Sequence, residues 1–73
     1  MAKLKINVRN RETNAIVTGS VINEYVKINA MIERVAEAKE WSAQSVTDYL
    51  DSGRALWIAS EDGKLVREIY FTN

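Results

Sequence analysis

Residues 55–71, ALWIASEDGKLVREIYF, decide the fold of this chain. Two apolar runs, 55–59 and 65–71, lie on either side of the polar residues 61–64. Within that polar segment, Asp62-Gly63 can adopt the positive φ angles that a type I′ turn requires. The stretch therefore predicts a β-hairpin that closes at Asp62 and Gly63.

The register of this hairpin determines which side chains share a face. A two-residue loop at Asp62-Gly63 places Leu56 opposite Ile69, Ser60 opposite Leu65 and Ile58 opposite Arg67. The other face then carries three partly apolar positions, Trp57, Val66 and Tyr70. Helices on one side of a sheet leave the second face uncovered, so these three residues are predicted to bind a partner. A register shifted by one residue would instead bury Trp57 in the core.

A second hairpin is predicted at the amino terminus. Leu4, Ile6 and Val8 alternate with polar and cationic residues, which is the period of a half-buried strand. Residues 10–14 are predicted to form the turn, and residues 15–18 the returning strand, which ends at Gly19.

The middle of the chain is predicted to be helical. Residues 21–39 carry apolar side chains at three- and four-residue steps, and Ser20 can cap their amino end. An alternative stays open, because residues 21–28 are rich in β-branched side chains and could form a strand, with Asn29 capping a shorter helix. Residues 43–52 predict a second helix, capped by Ser42 and ended by Gly53.

Together these elements predict one α+β domain over residues 1–73. Its order is ββααββ, and the simplest arrangement is two layers: a four-stranded antiparallel sheet made of two hairpins, with both helices on one face. No repeat or linker divides the chain.

Composition limits the chemistry that this domain can perform. The 73 residues include no histidine and no cysteine, and ten acidic residues balance ten basic ones. Most neutral-pH catalytic groups and metal ligands are therefore missing, and we expect no enzyme, no metal and no cofactor. The acid pairs Asp48 with Asp51 and Glu33 with Glu37 have the spacing of hydrated helix surfaces.

The sequence also bears on location. No apolar run approaches the roughly 20 residues of a membrane-spanning helix, and no signal-peptide pattern opens the chain. We therefore expect a cytoplasmic protein without a membrane partner.

Nucleic-acid binding is an alternative that the sequence leaves open. The first strand and its turn carry cations which, beside Trp57 and Tyr70, could bind single-stranded RNA or DNA through stacked bases and held phosphates. These cations are Lys3, Lys5, Arg9 and Arg11. A winged helix-turn-helix is a further alternative, but its recognition helix would carry Asp48 and Asp51 and no cation.

A homodimer is predicted from surplus apolar surface on the long helix. Ile22, Val26 and Met31 lie beyond its core stripe and could pack against a second copy, although the short helix and Trp41 could cover them instead. A small, charge-balanced chain of this kind is typical of accessory proteins of phages or mobile elements. We therefore expect a small non-enzymatic interaction protein, a homodimer that binds or regulates another protein.

Overall fold

A computed structural model describes residues 3–72 of the chain. The elements follow in the order ββααββ, which confirms the predicted α+β architecture. They are β1 (Lys3–Asn10), β2 (Ile16–Ile22), α1 (Tyr25–Lys39), α2 (Ala43–Asp51), β3 (Leu56–Ala59) and β4 (Leu65–Thr72).

The four strands form one antiparallel sheet in the order β2-β1-β4-β3. The two long strands β1 and β4 therefore pair in the centre, although they come from opposite ends of the chain. In the second hairpin, Leu56 lies opposite Ile69 and Ile58 opposite Arg67, as the sequence predicts. The backbone N–H of Ser60 donates to the carbonyl oxygen of Leu65 at 2.8 Å and extends the same register.

The core lies between one face of the sheet and the two helices. The helices pack against each other and lie mainly over β3 and β4. Alternation along β1 places Leu4 and Ile6 in this core, as predicted. The complete set of buried apolar side chains is Leu4, Ile6, Ile28, Ile32, Val35, Ala36, Val46, Leu50, Leu56 and Ile69.

The boundary between β2 and α1 differs from the prediction. Gly19 does not end the strand and Ser20 does not cap a helix, because β2 continues to Ile22. Val21 and Ile22 pair with Lys5 and Leu4 of β1, so cross-strand pairing decides the conformation of these β-branched residues. The helix over residues 21–39 was therefore predicted to begin four residues too early.

The alternative boundary was wrong as well. The helix begins at Tyr25, so the strand does not extend to Ile28 and Asn29 caps nothing. Glu24 holds the N-cap position in an extended conformation, and its side chain makes no capping hydrogen bond. The start of α1 therefore lacks the local signal that usually reveals a helix in a sequence.

The second helix follows the prediction closely. The hydroxyl oxygen of Ser42 accepts the N–H of Ser45 at 3.1 Å, which is the expected N-cap bond. The helix ends at Asp51, and Gly53 follows with a φ of 84°. Its N–H donates to the carbonyl oxygen of Leu50 at 3.1 Å, so the glycine closes the helix in the left-handed region.

The turn of the second hairpin is not type I′. Such a turn needs positive φ at both central residues, and only Gly63 has it, at 71°. The N–H of Gly63 donates to the carbonyl oxygen of Ser60 at 3.0 Å, which makes residues 61–64 a four-residue loop. The side chain of Asp62 accepts from the hydroxyl of Ser60 at 2.6 Å and from the N–H of Lys64 at 3.0 Å. These bonds stabilise the longer loop without changing the strand register.

Candidate functional site

The face of the sheet turned away from the helices is the candidate site, and we call it the open face. Directly paired strand residues share a face, and alternate residues of one strand do so as well. The residues of β1 on the same side as Asn7, together with the residues paired with them across the sheet, therefore make up the open face. The open face carries Lys3, Lys5, Asn7, Arg9, Ile16, Gly19, Val21, Trp57, Ala59, Val66, Glu68, Tyr70 and Thr72. It is therefore mixed in character, with aromatic, aliphatic and charged side chains.

The three predicted partner-binding residues all lie on the open face. Trp57 is 42% exposed, whereas Val66 and Tyr70 are half-buried. Val66 and Tyr70 lie on β4 on either side of Glu68, and Trp57 pairs with Glu68 from β3. The sheet thus brings the three residues around one carboxylate, in the register that the sequence predicts.

A polar network occupies the centre of this face. One carboxylate oxygen of Glu68 accepts from the Asn7 side-chain amide at 3.0 Å and from the Arg9 Nε at 3.3 Å. A second Arg9 nitrogen donates to the backbone carbonyl of Asn14 at 3.0 Å. The Arg9 guanidinium also lies 5.8 Å from the ring centroid of Trp57, within the range of a cation–π contact.

Sequence reasoning did not identify Asn7 and Glu68. Asn7 is 6% exposed, and among residues 3–72 it is the only buried polar residue. A buried amide needs a hydrogen-bond partner, and Glu68 supplies it from a strand 61 positions along the chain. The pairing of β1 with β4 creates this contact, and no local pattern in the sequence reveals that pairing.

The four predicted nucleic-acid-binding cations do not form one surface. Lys3 and Lys5 lie on the open face, but Arg9 is engaged by Glu68. Arg11 lies in the turn after β1, where its N–H donates to the carbonyl oxygen of Lys64 at 3.0 Å. Of the four, only Lys3 and Lys5 therefore present cations on the sheet surface that form no ion pair within residues 3–72.

The three predicted dimer-contact residues are separated by the fold. Ile22 lies on β2 and packs with Met31 against the core, whereas Val26 on α1 is 79% exposed. The prediction that they extend one helix surface was wrong, because Ile22 belongs to a strand. A dimer contact at Val26 stays a prediction.

Exposed apolar side chains concentrate instead at β2 and the start of α1. Seven large apolar residues are exposed within residues 3–72, and five of them belong to this region. These five are Ile16, Val17, Val21, Tyr25 and Val26. The uncharged composition of residues 15–22 was the sequence signal that could have indicated this surface.

The acidic pairs weighed as catalytic candidates lie on exposed helix surfaces. Asp48 accepts a hydrogen bond from the Gln44 side chain at 2.9 Å, and Asp51 is exposed at the end of α2. Glu33 and Glu37 are exposed on α1. Across residues 3–72 no three acidic residues are placed to hold a metal ion.

The fold and the open face are the features of this chain that bear on its function. Of the two helices in residues 3–72, neither combines the length and apolar composition needed to span a membrane. No protein-family profile, curated protein or solved structure matches the chain significantly.

Proposed function

We propose that this chain is a small non-enzymatic interaction protein, a homodimer whose open face binds another protein. The observation that carries the proposal is the exposure of Trp57 on the sheet face opposite the two helices. Large aromatic side chains at the centre of a surface are typical anchors of protein–protein contacts. Val66 and Tyr70 flank this anchor and add apolar area to it.

The polar network supports a protein partner over the nucleic-acid alternative. Glu68 and the Asn14 carbonyl engage the Arg9 guanidinium, so Arg9 is not available to a phosphate as an isolated cation would be. The same guanidinium covers part of the Trp57 ring on which a base would stack.

The charges of the open face indicate the chemistry of the partner. Lys3 and Lys5 add two cations at one end, while Arg9 and Glu68 neutralise each other. Trp57 and Tyr70 provide the apolar part. We therefore propose a partner surface with an exposed apolar side chain beside carboxylates, because rim charges of opposite sign favour association.

The homodimer is supported by the small size of the chain. A domain of this length buries only about 60% of its unfolded surface, so its core supplies limited stability. The sequence contains no cysteine for a disulfide and no cysteine or histidine for a zinc site, so a good core or a second subunit has to supply the rest. The cysteine-free composition is compatible with the cytoplasm, where we propose that the protein acts.

Light scattering over a concentration series tests the dimer and the nucleic-acid alternative together. We expect twice the chain mass of 8.3 kDa, unchanged when a short single-stranded oligonucleotide is added at low salt. A mass that increases with the oligonucleotide contradicts the proposal. In that case Lys5→Ala should weaken the complex and reduce its salt dependence.

Selection from a displayed peptide library tests the open face. We expect enriched peptides to combine an apolar residue with Asp or Glu. Trp57→Ala should weaken them about 30-fold, as the loss of an interface anchor of about 2 kcal/mol implies. Trp41→Ala is the matched control, because Trp41 is 41% exposed but lies between the helices, stacked edge-on against Tyr49. Equal effects of the two variants would contradict binding at the open face.

A further inference from the structure

The β2 edge, residues 16–22, is an exposed edge strand of the sheet. It is the outermost strand of the sheet, so no strand within residues 3–72 pairs with its outer side. Six of its seven residues are exposed, including Thr18 and Ser20, which lie on the helix-facing side opposite the half-buried Val8 and the core residue Ile6. An uncharged edge strand with free backbone N–H and C=O groups readily pairs with another strand.

The sequence of the β2 edge is nearly symmetric about Gly19. It reads Ile-Val-Thr-Gly-Ser-Val-Ile, so Val17 corresponds to Val21 and Thr18 to Ser20. The bulge at Val17 lies near the start of the strand and leaves residues 18–22 in regular pairing with β1. The symmetric centre of the strand is therefore also its regular part.

We propose that the β2 edge pairs antiparallel with the β2 edge of a second copy, about a two-fold axis at Gly19. This inference rests on the homodimer of the proposed function and identifies its contact. In this register residues 17–21 lie opposite their counterparts in the symmetric sequence, so Thr18 faces the partner's Ser20. The two sheets then join into one sheet of eight strands.

A second copy matches the β2 edge because a two-fold contact requires a self-complementary surface. Opposed Val17 and Val21 form β-branched pairs, and opposed Thr18 and Ser20 can hydrogen-bond, both of which stabilise antiparallel pairs. No charged residue lies in the strand, so two copies do not repel each other there. In an antiparallel pair, directly opposed residues form either a hydrogen-bonded or a non-hydrogen-bonded pair. A two-fold axis that passes between the two Gly19 residues is compatible with either kind of pair.

The exposed apolar residues at the start of α1 lie at the ends of the same contact. In the proposed register Ile22 lies near the partner's Ile16, which the bulge at Val17 turns to the open face, and α1 begins three residues after Ile22. Tyr25 and Val26 are therefore close to the start of the partner's β2. This arrangement gives the exposed Val26 an apolar neighbour and replaces the helix-to-helix contact predicted from the sequence.

Charge substitutions at the β2 edge test the proposed contact. Val17 is 60% exposed, so Val17→Lys should leave the fold intact but place a charge in the edge strand opposite the partner's apolar Val21, which disfavours strand pairing. We expect its scattering mass to fall from two chains to one, with an unchanged far-ultraviolet circular dichroism spectrum. Val21→Lys should do the same. Ala59→Lys is the matched control on the opposite edge strand, and it should remain dimeric.

Disulfide trapping tests the register. The chain has no cysteine of its own, so any disulfide forms between the introduced residues. Directly opposed residues have Cα atoms about 4.5–5.5 Å apart, within the range of a disulfide. An equal mixture of Thr18→Cys and Ser20→Cys should therefore form a mixed dimer on mild oxidation. Either variant alone should form much less, since its cysteines are about 7–8 Å apart. A mixture of Thr18→Cys with Ala59→Cys is the control and should not cross-link.

The outcomes separate this inference from the proposed function. A wild-type chain that keeps the mass of one chain at every concentration overturns both the homodimer and the β2 contact. A dimer that survives both lysine substitutions, and gives no mixed disulfide between positions 18 and 20, overturns the β2 contact alone. Loss of the dimer in both lysine variants, together with the mixed disulfide, supports the contact and its register.

Discussion

The two edges of the sheet are built differently. β3 has four residues, and its Leu56 is buried beneath the helices. β2 has seven residues, and six of them are exposed. Short edge strands resist unwanted pairing, whereas long uncharged ones favour it. The helices thus cover one face of β3, whereas β2 stays exposed, and β2 is the edge at which we propose the second copy.

Truncation of an apolar side chain at each edge gives the largest expected difference. Leu56→Ala should lower the free energy of unfolding by about 3 kcal/mol, because it leaves a cavity in the core. Val21→Ala should change it by no more than about 0.5 kcal/mol, as an exposed position does. Urea unfolding in the Val17→Lys background compares the two positions in the single chain. Similar losses at both edges would contradict the difference in burial.

Removal of the polar network is expected to give the second-largest loss in the free energy of unfolding. The network joins β1 to β4 on the open face, next to Trp57 of β3. Glu68→Ala removes the acceptor of the buried Asn7 amide and of Arg9, so we expect a loss of about 1–3 kcal/mol in the free energy of unfolding. Glu61→Ala, at the exposed hairpin loop, is the matched control and should change it by less than about 0.5 kcal/mol. A loss as small as that of the control would mean that water replaces Glu68 without cost.

The attachment of β2 to β1 depends on a close approach at Gly19. A Cβ atom there would lie 3.0 Å from the side-chain oxygen of Asn7. The Asn7 side chain cannot turn away freely, because its amide NH₂ group donates a hydrogen bond to Glu68. Gly19→Ala should therefore lower the free energy of unfolding by about 1 kcal/mol, as overpacking does. The measurement is urea unfolding of the single and double variants. In the Asn7→Ala background the same substitution should be neutral or stabilising, since alanine costs less backbone entropy than glycine.

Gly19 also shows why the sequence predicted one edge better than the other. The β3–β4 hairpin has local signals: two apolar runs and the polar loop of residues 61–64. In β2, Gly19 resembles a strand end and Ser20 a helix cap, and only pairing with β1 keeps both in the strand. A Cβ atom at position 19 would crowd the neighbouring Asn7 side chain, and this contact between strands is one that a local pattern does not contain.

The candidate site was likewise predictable where it depends on the local hairpin, and not where it depends on pairing between distant strands. Trp57, Val66 and Tyr70 were assigned to one face because the predicted two-residue loop and the observed four-residue loop have the same centre and therefore give the same hairpin register. The Arg9–Glu68 pair was missed because it depends on β1 meeting β4 across most of the chain. The β2 edge was missed because its first residues were assigned to a short strand and its last to a helix.

The turns of the two hairpins give the smallest predicted difference, which depends on pH. In the β1–β2 turn the Asn10 side chain accepts the N–H groups of Glu12 and Thr13, and an amide does not titrate. In the β3–β4 turn the hydrogen bond from the Ser60 hydroxyl, followed by that from the Lys64 N–H, lowers the pKa of Asp62 below the ordinary value of 3.8.

Because folding lowers this pKa, the ionised Asp62 stabilises the native hairpin. The contribution is fully present above the ordinary value of 3.8 and is lost as the pH falls through the lower folded-state pKa. The Lys64 amide shift in an NMR titration should therefore move in acid, with a midpoint below 3.8, while the Thr13 amide does not follow it. Asp62→Asn should abolish the Lys64 transition. A Lys64 midpoint above the ordinary value would instead mean that the loop bonds do not favour the ionised carboxylate.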